Sequence, residues 1–81
     1  MSCIHDSQSL RDHLTAPDPM RRFIGLHALE SAATRSHASL GHEAARFTAR
    51  GIPYYALHDP HFQAWVGKAA SYWERLHAGR A

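Results

Sequence analysis

Two Asp-Pro pairs, Asp18-Pro19 and Asp59-Pro60, constrain this chain more firmly than any other feature. A carboxylate just before a helix accepts from its free N–H groups, and Pro suits the first helical position, where an N–H has no intrahelical partner. Each pair therefore opens a helix. The opposite signal stands at Arg50-Gly51-Ile52-Pro53. Gly51 suits a left-handed cap, Ile52 is placed to contact Phe47 across it, and Pro53 forbids continuation.

Between these marks the apolar spacing is helical. Residues 7–15, capped by Asp6 or Ser7, carry Leu10 and Leu14 on one face and stop at Ala16-Pro17. From Pro19, the residues Met20, Phe23, Ile24 and His27 form one apolar stripe, which Leu26, Leu29, Ala32 and Ala33 broaden nearly all round. The pattern weakens at Ser36-His37-Ala38-Ser39, where Ser39 can cap a new helix containing Leu40, Ala44 and Phe47; one continuous bent helix is the alternative. Residues 53–58 have room for a single helical turn. Phe62, Trp65, Val66, Ala69, Trp73 and Leu76 then make the strongest amphipathic stripe, which ends at Gly79. The expectation is an all-α compact bundle of four helices near 7–15, 19–37, 40–50 and 60–78. It forms one domain, with fraying at 1–6 and 79–81.

A chain of 81 residues buries only about 60–65% of the surface that its unfolded form exposes. Its apolar supply is thin as well, because fourteen residues are Ala and only fourteen are Leu, Ile, Val or Phe. Two Trp, three Phe and three Tyr, with a formal net charge of only +2, still argue for a folded chain. A thin core favours a homo-oligomer, since a second copy covers faces that one copy leaves wet. With Cys3 the lone cysteine, no internal disulfide forms, and a cytoplasmic, reducing setting fits best. No basic leader followed by an apolar run and no long apolar stretch occurs, so neither export nor a membrane partner is expected.

Eight histidines invite a metal reading, with His58-Asp59-Pro60-His61 the tightest group and His37 or His42-Glu43 as further donors. Asp59 already has work as a helix cap, and the only thiol lies far away, so no metal and no cofactor is expected. Cys3 near His5 is the sole Cys–His proximity, in a segment expected to fray, where a reactive thiol lacks a fixed setting. With no phosphate loop, paired carboxylates or metalloprotease helix motif in view, an enzyme is not expected. Nucleic acid is the stronger rival, because His42, Arg46 and Arg50 recur four apart on one face of the third helix. Glu43 flanks that row. The stretch between Gly51 and Asp59 is also too short for a recognition helix.

The preferred reading is a protein-interaction or self-associating module, a small regulatory or accessory protein. Trp, Tyr and Arg anchor interfaces, and Tyr54, Tyr55, Trp65, Tyr72, Trp73 and Arg75 cluster in or near the last helix. Burial of Phe62, Trp65, Trp73 and Leu76 is worth on the order of 2–3 kcal/mol each, and the rest of the chain offers mainly Leu10, Leu14, Met20, Phe23, Ile24, Leu26, Leu29, Leu40 and Phe47 to enclose them. Some of that aromatic surface is therefore expected to stay exposed, with Tyr72 the first choice for an outward position and Trp65 the second.

Overall fold

The computed structural model describes residues 4–78, apart from the side chains of Tyr54 and Tyr55. Four α-helices follow one another: α1 (Ser7–Leu14), α2 (Pro19–Ser36), α3 (Ala38–Arg50) and, after a short 3-10 helix (Tyr54–His58), α4 (Pro60–Ala78). Among the described residues there is no strand, so the all-α expectation holds and each boundary lies within two residues of its expected place.

The caps explain why the boundaries fall where they do. Asp6 Oδ1 accepts from Ser9 N at 2.7 Å, Asp18 Oδ1 from Met20 N at 3.0 Å, and Asp59 Oδ1 from His61 N at 2.7 Å. The Ser9 N–H lowers the pKa of Asp6 below its ordinary value. That cap is therefore at full strength above the ordinary carboxylate range and is lost as pH falls through the lowered value. Ile4 is buried just ahead of it, so ordered packing reaches into the segment expected to fray. Between α2 and α3 the capping residue is His37, not Ser39. His37 has φ −152° and ψ 75°, which breaks the helix, and its Nδ1 accepts from Leu40 N at 3.4 Å. The two helices are separate.

Gly51 closes α3 with φ +77°, as its position requires, but its ψ of 168° is extended and not left-handed helical. That combination is essentially confined to Gly. It turns the chain so that Ile52 enters the core at 5% exposure.

The core runs through Leu10 and Leu14 of α1, Leu26, Leu29 and Ala33 of α2, Leu40 and Ala44 of α3, and Phe62, Val66, Ala69 and Trp73 of α4. Small residues set how closely the helices approach. A Cβ on Gly25 would sit 2.9 Å from His13 Cβ, and one on Gly41 would sit 3.1–3.2 Å from backbone atoms of Thr34. The α1–α2 and α2–α3 contacts are thus made almost backbone to backbone. Helix α4 lies against α1 but reaches α3 mainly through long side chains.

One correction concerns α2. Met20, Phe23 and Ile24, expected to help enclose the aromatics of α4, face outward at 62%, 48% and 40% exposure. The buried residues of α2 are Arg22, Gly25, Leu26, Leu29 and Ala33. Arg22 is only 7% exposed and has no carboxylate partner among the described residues. Its Nη1 donates to Ala16 O at 2.6 Å and Pro17 O at 2.9 Å, and its Nη2 donates to Ile52 O at 3.1 Å. One guanidinium thereby ties the α1–α2 connection to the chain just past α3.

Two predictions follow from this packing. Arg22→Met removes the donors and leaves buried carbonyls unsatisfied, which costs about 3 kcal/mol and lowers Tm by roughly 10–20 °C in a thermal melt. Arg22→Lys keeps the charge without the planar fork and recovers less than half of that loss. Among the glycines the signs separate. Gly67→Ala, in a helix with nothing within 4 Å of the new Cβ, stabilises by about 0.5–1 kcal/mol, whereas Gly41→Ala pushes α2 and α3 apart and destabilises.

Candidate functional site

The expected interface residues do not share one surface. Tyr72 is 6% exposed, and its hydroxyl bonds to Ala32 O at 3.0 Å and to Ser36 Oγ. Its ring meets His37 edge-on at 5.7 Å. Tyr72 therefore fastens α4 to the α2–α3 junction, and the expectation that it points outward is overturned. The alternate turns of α4 that carry Phe62, Val66, Ala69 and Trp73 inward carry Tyr72 inward too. Trp73 is also core, its ring tilted by 50° against that of His77 with centroids 5.0 Å apart. Its exposure of 6% removes it from any interface. Arg75 is exposed, but it lies ten residues beyond Trp65, about 15 Å along α4. Tyr54 and Tyr55 sit in the 3-10 helix, and their side chains lie outside the described residues.

Trp65 is different. It is half-buried and closes an aromatic triad with Phe47 of α3 and Phe62 of α4. Ring centroids are 4.8 Å apart for Phe47–Trp65, 5.6 Å for Phe47–Phe62 and 6.0 Å for Phe62–Trp65. Above this triad α3 and α4 leave a groove of about 560 Å³, within the range of ligand sites. Its floor is aromatic, Pro53 and Ala56 close one end, and Arg46 and Arg50 stand on the α3 rim. The sequence-level row of His42, Arg46 and Arg50 is thus split, with both arginines on the groove and His42 exposed away from its lining.

The charges around the groove are unevenly engaged. Glu43 Oε1 accepts from Trp65 Nε1 at 3.0 Å and forms an ion pair with Lys68 Nζ at 3.5 Å. Asp59 caps α4. Arg46 and Arg50 make no ion pair with a carboxylate among the described residues. The basic groups of the rim are available to a ligand, while its acids are already committed.

Phe47 and Arg50 also form a ridge, and beyond it lies a second depression of about 330 Å³ between α2 and the end of α3. Pro19, Phe23 and Leu26 line it, so it adjoins the exposed stripe of α2. Along that stripe Phe23 stacks on His27 with centroids 6.2 Å apart. From the sequence, Met20, Phe23 and Ile24 of this stripe were expected to help enclose the α4 aromatics. Their regular spacing was legible, but the direction in which the stripe faces was not.

The histidine cluster has a plainer role. With Asp59 Oδ1 turned to the His61 N–H, the acid between His58 and His61 serves the helix. Among the described residues no three or more His, Cys, Asp or Glu side chains are grouped to hold a metal ion. His5 is exposed, and its neighbour Cys3 lies outside the described residues. Among the same residues no helix is long and apolar enough to cross a membrane. No protein-family model, no characterised protein and no solved structure matches this chain.

Proposed function

We infer that this chain is a small helical interaction module that works by binding and not by catalysis, and that it self-associates through α2. The observation that carries this reading is the exposure of Met20, Phe23 and Ile24 on a single helix face. Scattered surface apolar residues are ordinary in a folded protein, but three large ones on one stripe mark a contact surface. Their spacing, with His27 completing the 0, 3, 4, 7 pattern, is the one through which helices pair side by side. No residue of the stripe carries a full-time charge. A second copy presents the same stripe, so the contact is isologous and closes at two subunits. The thin core points the same way, because covering three large side chains adds burial that the monomer lacks.

Nucleic acid is the other reading with an observation behind it, since Arg46 and Arg50 stand beside Trp65. The formal net charge of +2 gives little electrostatic steering toward a polyanionic backbone.

The test is the mass in solution. Light scattering on the purified chain at about 50–100 μM gives twice the 9.1 kDa chain mass, and F23E/I24R returns it to the monomer value with unchanged circular dichroism. A wild-type chain that remains monomeric at these concentrations refutes the reading.

A further inference from the structure

We propose that the α3–α4 groove is a docking site for an acidic peptide segment of a partner protein, one that presents a bulky apolar side chain with Asp or Glu about one helical turn away. The floor supplies the apolar half of the match: Phe47, Phe62 and Trp65 form one aromatic surface at the bottom of a cavity of about 560 Å³, room for a Leu, Phe or Trp side chain. The rim supplies the charged half. Arg46 and Arg50 lie four residues apart on α3, which places them about 6 Å apart along the helix axis, the interval between carboxylates one helical turn apart on a peptide. Neither arginine makes an ion pair with a carboxylate among the described residues, while Glu43 is held by Trp65 and Lys68 and Asp59 by the start of α4. An acidic ligand supplies the carboxylates that these two exposed arginines lack among the described residues.

A second copy of this chain does not fit the groove through its exposed stripe. Met20, Phe23 and Ile24 are flanked by Arg21, which would meet Arg46 and Arg50 with like charge. The groove is also floored by residues other than those of the α2 stripe, so peptide docking and self-association use different residues and fail independently.

The experiment selects twelve-residue peptides from a random displayed library on the full-length chain, with counter-selection on R46E/R50E. Both arginines are exposed, and circular dichroism checks that this variant keeps its helicity. The expected consensus has two or more Asp or Glu spaced around one large apolar residue. Fluorescence anisotropy with the labelled consensus peptide then shows binding at least tenfold weaker to R46E/R50E, at least tenfold weaker for a peptide whose apolar anchor is Ala, and unchanged to F23E/I24R. The proposal is overturned if selection returns no consensus, or one that is basic or uncharged. It is equally overturned if the rim variant binds the peptide as well as wild type, or if a twelve-nucleotide oligo-dT binds the wild-type chain more tightly than the peptide does and loses that binding in R46E/R50E.

Discussion

The fold depends on one buried guanidinium. Arg22 lies in the first turns of α2, where the helix dipole disfavours a positive charge, and it is withdrawn from water with no carboxylate among the described residues to neutralise it. What makes the position favourable is the set of carbonyls it reaches, those of Ala16 and Pro17 just past α1 and of Ile52 just past α3. These carbonyls lie outside the helices and have no intrahelical donors, so where they are buried a donor must come from elsewhere. A planar fork serves several of them at once, which a point charge on a flexible stem does not. Two connections, that between α1 and α2 and the chain just past α3, are thereby fixed relative to one another.

With those connections held, helix spacing decides where the surface opens. Gly25 lets α1 approach α2, and Gly41, with Ala33 nearby, lets α3 approach α2. Helix α4 is then seated on α1, and Tyr72 anchors it at the α2–α3 junction. Nothing comparable draws the middle of α4 onto α3. The rings of Phe47, Phe62 and Trp65 bridge the gap, as does the Glu43 carboxylate held by Trp65 and Lys68, and the groove is the space that rings do not fill.

Much of this architecture was legible in the sequence because its signals are local. A cap at Asp18 or Asp59 acts within one turn, and the stop at Gly51-Ile52-Pro53 is settled by backbone conformation. What was not legible depends on which way an element is rotated. Helix α2 offers apolar residues on more than one side, and the stripe through Met20, Phe23, Ile24 and His27 is as regular as the one through Arg22, Leu26, Leu29 and Ala33. Residues of both stripes were expected to help enclose the aromatics of α4, and a single rotation of the helix buries only the second. Tyr72 misled for a related reason, since a hydroxyl suggests solvent unless its buried partners, here Ala32 O and Ser36 Oγ, are known. The groove was half visible: Trp65, Arg46 and Arg50 were each singled out, but under two separate readings that only the fold brings together.

The outward stripe of α2 follows from the interactions that hold the bundle. At 100° per residue, the mean directions of the two stripes lie roughly 140° apart, so no single rotation of the helix buries both. Turning Phe23 and Ile24 inward would swing Arg22 away from its three carbonyls and replace Gly25, at the point of closest approach to His13, with a larger side chain. The former leaves a charge and several carbonyls unmatched, a loss of about 3 kcal/mol, and the latter separates α1 from α2. Against this stands the gain from covering Phe23 and Ile24, about 1–2 kcal/mol for each given their partial exposure. The two sides are of similar size, and the helix contacts tip the balance toward an exposed stripe. A binding surface on α2 is therefore compatible with the monomer fold, and burying it against a second copy recovers the apolar contribution without disturbing Arg22.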